Sequence, residues 1–263
     1  MDIALPVLGG LGLFLYGMNI MGTGLEKAAG ERLKRLIEIL TSNRLMGVIV
    51  GTVVTMIIQS SSATTVMVVG FVNAGLMNLS QAVGVIMGAN IGTTITAQLI
   101  AFQLTDIAPL AVAVGVAIWL ITSKKRLKSL AEVLIGFGVL FIGMDMMSGG
   151  LEPLADNPVF SNIISSLNNP VLGILAGFGL TTLIQSSSAS VGLLQALASN
   201  GLISIDIAFP VLFGDNIGTT TTALISSIGA NKTAKRAAII HFLFNAIGTI
   251  IFMLVLRVPI EAI

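Results

Sequence analysis

The chain has 263 residues, of which 55% are hydrophobic and only 10% charged, with a mean hydropathy of +1.00 and a formal net charge of +1. A soluble domain carries roughly a quarter charged residues, so this composition excludes a water-soluble globule, and the weak positive balance implies no nucleic-acid partner. Cysteine is absent, which removes disulfides, thiolate metal sites and thiol catalysis.

Crossing the bilayer by helix takes about 20 mostly apolar residues, with about 17 as a lower limit. The first run, 3–22, follows Met1-Asp2-Ile3 without a basic leader, so it is expected to persist as a span. Residues 25–40 place Leu25, Ala28, Leu33, Leu36 and Leu40 at helical spacing among charges, which predicts an interfacial amphipathic helix acting as a connector. The stretch 45–77 holds two short apolar arms around a serine cluster and reads as a re-entrant hairpin. Residues 80–102 are long enough to cross but contain Gly-Ala-Asn-Ile-Gly-Thr-Thr at 88–94, and a broken helix is expected there. Spans follow at 106–122 and 129–149, then a second hairpin over 171–201. A second broken helix is expected over 202–229, around Gly-Asp-Asn-Ile-Gly-Thr-Thr at 214–220, and a last span over 237–256.

Twelve of the 13 Lys and Arg residues fall in three short segments, 27–44, 124–128 and 232–236. Placing all three in the cytoplasm satisfies the positive-inside rule and puts both termini of this chain outside. The thirteenth, Arg257, lies at the far end of the last span.

The pattern of the chain repeats at a constant offset of 126 residues. Gln59-Ser60-Ser61-Ser62-Ala63 returns as Gln185-Ser186-Ser187-Ser188-Ala189, and Asn90-Ile91-Gly92-Thr93-Thr94 as Asn216-Ile217-Gly218-Thr219-Thr220. Gly17-Met18, Gly47, Thr55 and Gly75-Leu76 obey the same shift. The expected fold is therefore an all-α membrane protein of two repeats, 1–126 and 127–263, within one membrane domain. Each repeat is read with three crossings, one re-entrant helical hairpin and a broken helix. Three crossings are an odd number, so the second copy enters from the opposite face and the repeats are inverted, as in many secondary transporters.

Irregular backbone at membrane depth persists only around a cavity or ligand. Serine at the start of each second hairpin arm is a natural N-cap, and the inward N-terminus of that arm suits an anion. Hydroxyl, amide and carbonyl oxygens are hard ligands appropriate to an alkali cation. No Lys or Arg falls inside an expected span, so a bound anion needs a counter-charge that arrives with it. Asp215, whose repeat mate is Ala89, interrupts an apolar helix and reads as a cation ligand, a proton site or a satisfied structural carboxylate. Asp145, the mate of Asn19, reads as interfacial or packing. Asp106 and Asp206 are assigned helix-start caps without chemistry. His241 is read as a hydrogen-bonding group of the bundle ahead of a proton site, and Trp119 and Tyr16 as belt or packing aromatics.

The doubled Gln-Ser-Ser-Ser motif with its following Asn-Ile-Gly-Thr-Thr segments resembles the type II sodium-dependent inorganic phosphate cotransporter family, in its bacterial branch. The resemblance covers almost the whole chain. It implies a symporter of the bacterial cytoplasmic membrane that imports phosphate with sodium by alternating access, with no cofactor and no enzymatic activity. By motif match, phosphate would meet Gln59, Ser60, Ser61, Ser62, Gln185, Ser186, Ser187 and Ser188. Sodium ligands are expected among Thr55, Thr64, Asn90, Thr93, Thr181, Asp215, Asn216 and Thr219. The expected partners are phosphate, sodium and the lipid bilayer, and a homodimer is compatible with this reading. The large extracellular loop and extra terminal helices of animal relatives have no counterpart in this sequence. A sodium symporter for another oxyanion or a small carboxylate is the nearest rival. An intramembrane serine protease using His241 fits poorly, because the serine cluster is duplicated and the histidine is not. A channel or a scaffold is the third class.

Overall fold

The computed structural model describes residues 3–29, 43–102 and 104–256, and among these every regular element is helical. They form α1 (Ala4–Ala29), α2 (Arg44–Ile58), α3 (Ser61–Asn73), α4 (Leu79–Ala101), α5 (Ala108–Ile121) and α6 (Lys125–Leu151). A 3-10 turn at Glu152–Leu154 leads to α7 (Pro158–Ser166), α8 (Pro170–Ile184), α9 (Ser187–Ser199), α10 (Ile205–Gly218), α11 (Thr220–Ser226) and α12 (Lys232–Ile251). Four helices are long and apolar enough to cross a membrane: α1, α4, α6 and α12.

The longest interface is the crossing of α1 with α6, and glycine makes it possible. A Cβ on Gly10 would stand 2.6 Å from the Gly143 carbonyl oxygen, and one on Gly17 the same distance from that of Gly136. The reverse contacts, Gly136 on Gly17 and Gly143 on Gly10, have the same 2.6 Å separation. Any side chain at these positions would push the backbones apart, and close approach is what holds helices together in lipid. Rising numbers in α1 meet falling numbers in α6, so the two helices run antiparallel. Lys27 at the end of α1 pairs with Glu132 near the start of α6 at 2.9 Å. Phe14, Met21, Phe141 and Met147 fill the core beside this crossing.

The two hairpins are built alike. Helix α2 stops at Ile58 because Gln59 turns into the left-handed region (φ 59°, ψ 24°), and Ser60 is extended (φ −148°, ψ 106°). Ser60 Oγ then accepts from Ala63 N, capping α3. Gln185 (φ 59°, ψ 23°) and Ser186 (φ −146°, ψ 107°) repeat this between α8 and α9, with Ser186 Oγ accepting from Ala189 N. The expected serine caps are thus both present. The arms have 13 and 15 residues, too short to cross. Within each copy the first arm packs parallel to the helix that follows the hairpin, α4 or α10, through glycine. A Cβ on Gly92 would stand 2.6 Å from the Thr52 carbonyl oxygen of α2, and one on Gly218 would stand 2.8 Å from the Thr181 side chain of α8.

Several expectations are corrected. Residues 80–102 are not broken: α4 runs unbroken through Asn90-Ile91-Gly92-Thr93-Thr94. Its glycines Gly84, Gly88 and Gly92 recur every turn and lie against α2, so they serve close packing rather than interruption. The second copy is interrupted for one residue, Thr219, between α10 and α11, where the backbone stays right-handed (φ −59°, ψ −24°). There Thr219, Thr220 and Thr221 each return their hydroxyl to a carbonyl three residues back, competing with the helical ladder. The first copy has Ile95 where the second has Thr221. Helix α5 has 14 residues, short of the expected span over 106–122. Helix α7 was not expected, and it meets α8 at 104°. Asp106 precedes the N-cap Ile107 of α5, and Asp206 lies in the first turn of α10 behind the N-cap Ser204, so neither is a cap. Of the expected amphipathic helix, 25–29 continue α1, and 30–40 lie outside the described residues.

Candidate functional site

The hairpin tips from the two copies meet. One cavity of about 350 Å³ is lined by Ser61 at the start of α3 and by Ser187 and Ser188 at the start of α9. The same cavity receives Asn90 and Thr93 from α4, Asp215 and Asn216 from α10, and Thr219 from the break, with Phe209, Leu212 and Phe213 as an apolar wall. A second cavity, of about 490 Å³, lies on the other side of the tips and takes Gln59, Ser60, Gln185 and Ser186, together with Asn19, Thr23 and Glu26 of α1. Consecutive residues Ser60 and Ser61, like Ser186 and Ser187, therefore face different cavities. Ser62 is half-buried and lines neither of the two. Neither lining contains Lys or Arg.

The motif glutamines are committed to holding the tips. Gln59 Oε1 accepts from Thr96 Oγ1 at 2.7 Å, and its Nε2 donates to the Met56 carbonyl. Gln185 Oε1 accepts from Thr222 Oγ1 at 2.7 Å, and its Nε2 donates to the Thr182 carbonyl. Among the described residues these are the only non-glycine positions with positive φ. Left-handed backbone costs a residue with a Cβ about 1–2 kcal/mol, and such strain gathers at functional sites.

Asp215 is buried, and both hydrogen bonds to it reach one oxygen. Thr181 Oγ1 donates to Oδ1 at 2.9 Å and Ser190 Oγ at 2.7 Å. Oδ2 is buried without a hydrogen-bond partner among the described residues, at a cavity lining. In the first copy Ala89 replaces the acid, and the equivalent hydroxyls bond each other, Thr55 Oγ1 to Thr64 Oγ1 at 2.9 Å. Thr55 and Thr64 are buried behind the hairpin rather than at either cavity, as is Thr181. Sequence reasoning missed Ser190, although it stands 126 residues after Thr64.

It also missed Asn245 of α12, whose mate in the first copy is the apolar Trp119. Asn90 Nδ2 donates to Asn245 Oδ1 at 2.6 Å, and Asn245 Nδ2 donates to the Asn216 carbonyl at 2.9 Å. One amide thus ties repeat mates Asn90 and Asn216, both of which line the first cavity. One turn away, His241 is buried with neither ring nitrogen partnered among the described residues, which contradicts the hydrogen-bonding role expected for it. Asp145 is exposed beside a small cavity with Ser148 and Ser199, in keeping with an interfacial position. Lys128 Nζ lies 5.0 Å over the Trp119 ring.

Half-helices that end inside an all-helical membrane protein, around a cavity with convergent polar groups, have the construction of a secondary transporter. The chain belongs to the Na+/Pi-cotransporter family, whose model matches it twice, over 13–149 and 142–261. This is a family of transporters rather than enzymes. The chain is 32% identical over 236 residues to the uncharacterized Bacillus subtilis protein YqeW, covering 89% of this chain and 76% of that one. It is 29% identical over 250 residues to Escherichia coli YjbB, named as a candidate inorganic phosphate export protein, covering 95% of this chain and 46% of YjbB. Human sodium-dependent phosphate transport protein 2C is 45% identical over 95 residues, 34% of this chain and 16% of that protein. This chain spans less than half the length of YjbB and a sixth of the human protein. No solved structure matches it.

Proposed function

We propose that this chain is a sodium-coupled symporter that carries inorganic phosphate across the bacterial cytoplasmic membrane by alternating access between two inverted repeats, 1–126 and 127–263. The observation that carries this reading is the convergence of two serine-capped helix starts on one cavity that holds a half-unpartnered carboxylate and no basic residue. Helix N-termini favour an anion, and phosphate would be held by Ser61, Ser187, Ser188 and the first-turn N–H groups of α3 and α9. Gln59, Gln185, Ser60 and Ser186 shape the tips, and Ser62 completes the first turn of α3. Phosphate beside Asp215 concentrates negative charge, so more than one monovalent cation must enter with it. Asp215 Oδ2, with Asn90, Thr93, Asn216 and Thr219 at the same cavity, offers hard oxygen ligands to sodium. Thr181 orients the carboxylate, and Thr55 and Thr64 mark the equivalent place in the first copy.

The inverted arrangement is supported by α1 and α6. They are repeat mates, run antiparallel, and exchange reciprocal contacts, as elements related by a two-fold axis do. Direction follows the gradients: an inward sodium gradient drives phosphate inward, and the same machine runs outward when the gradients reverse. The test is labelled-phosphate flux in proteoliposomes, with sodium or choline on either side. Flux that ignores sodium would overturn the coupling, and full competition by sulfate or a small carboxylate would overturn the choice of substrate.

A further inference from the structure

A third cavity, of about 700 Å³, lies outside the polar site, between α2, α4 and α12. Its walls are apolar, from Val48, Val83, Met87 and Ile240, and its polar groups come from Arg44 and Ser80, at the starts of α2 and α4. Arg44 Nε donates to Ser80 Oγ at 2.8 Å, which holds the guanidinium at the mouth. Asn231, the N-cap of α12, donates its N–H to Asn73 Oδ1 at the end of α3, so the start of α12 stands at the same end of the bundle. Arg236 is exposed one turn before Ile240, toward that end. Helices α2, α3, α4 and α12 carry no acidic residue. From Leu79 to Met87 the groove follows two turns of α4, about 12 Å, most of one leaflet's hydrocarbon depth of about 15 Å.

We infer that this groove binds an anionic diacyl phospholipid, with its phosphodiester on Arg44 and one acyl chain along Val83 and Met87. A guanidinium fork already oriented by Ser80 suits a phosphate, and a bilayer supplies an acyl chain to any apolar groove that faces it. The second repeat argues by contrast. The mates of Arg44 and Ser80 are Pro170 and Asp206, and those of Val83 and Met87 are Phe209 and Phe213. Phe209 and Phe213 form the apolar wall of the first cavity instead, and Pro170 and Asp206 offer no cation, so the arginine and the slender side chains of this groove belong to the first copy.

The experiment follows fluorescent phosphatidylglycerol binding to the purified protein in neutral detergent, with phosphatidylcholine of the same chains as the comparison. Wild type is expected to favour phosphatidylglycerol by about fivefold, the worth of roughly one basic residue against an anionic lipid. Arg44→Gln should erase that preference while chain-dependent binding remains. Val83→Phe with Met87→Phe, which imports the second repeat's own residues, should lose both. Equal affinity for the two lipids, or an undiminished preference in Arg44→Gln, would overturn the inference. Displacement by soluble glycerol phosphate would reassign the mouth to a free anion. A smaller particle on size exclusion for the double Phe variant would reassign the groove to contact between copies. If the double variant does not fold, Arg44→Gln alone decides, since Arg44 is exposed.

Discussion

Gln59 and Gln185 combine strained backbone with a side chain that pins the hairpin, and the two effects can be separated. Gln59→Ala loses the Thr96 bond and keeps the left-handed backbone, at a cost of about 1 kcal/mol. Gln59→Gly loses the same bond but relieves about 1 kcal/mol of strain, so its stability should stay near wild type. Thermal unfolding in detergent should therefore rank glycine above alanine, and the reverse order would remove the strain argument. Asp215 is the other residue-scale test. Asp215→Asn keeps an acceptor for Thr181 and Ser190 but takes away the charge beside the cavity. The sodium concentration for half-maximal phosphate flux should rise severalfold, more than the phosphate KM at saturating sodium. An unchanged sodium curve would leave Asp215 a structural carboxylate. Nothing in its sequence context distinguishes these roles, and the unpartnered Oδ2 is the reason to test them.

At the scale of elements, the packing of α1 on α6 depends on glycine at particular positions. Gly17 has backbone 2.6 Å from its would-be Cβ, whereas Gly12 on the same helix has nothing within 4 Å. Gly17→Val should thus destabilise by about 3 kcal/mol or prevent folding, and Gly12→Ala should be neutral or slightly stabilising. Equal effects of the two would mean the crossing is looser than described. The heptad spacing of Gly10, Gly17 and Gly24, returned at Gly136, Gly143 and Gly150, was open to reading in the sequence. The same amino acid misled at 88–94. Glycine permits both close packing and interruption, and only the position of α2 against α4 determines which it does.

At the scale of the whole molecule, the proposed inverted arrangement would place repeat mates on opposite faces. Glu26 and Glu152 are such mates, and both are exposed. With no native cysteine as background, Glu26→Cys and Glu152→Cys should react with an impermeant maleimide from opposite sides of oriented vesicles. Reaction of both from one side would defeat the inversion. The shared cavity makes a second demand. Ser61→Ala and Ser187→Ala should each weaken phosphate binding by about 1.5–3 kcal/mol, the range for a hydrogen bond to a charged group. The double variant should depart from additivity, because both serines serve one ligand. Calorimetry should find sodium and phosphate tightening each other by the same factor, since linkage is reciprocal. Strictly additive losses, or equal phosphate binding in sodium and in choline, would break the clamp.

Composition and the constant offset of 126 residues were enough to determine a helical membrane protein made of two copies, and the doubled Gln-Ser-Ser-Ser motif was enough to place its hairpin tips. These follow from local physics: apolar length, serine capping and periodic repetition act within a few residues of where they are written. The meeting of the two tips at one cavity belongs to the tertiary structure. So do the division of each motif between two cavities, the single-sided bonding of Asp215 and the bridge of Asn245 between Asn90 and Asn216. Each joins residues far apart in the chain, and the joining depends on which helix faces pack together. In lipid, that choice rests on shape and hydrogen bonding between helices rather than on hydropathy, because one apolar face resembles another.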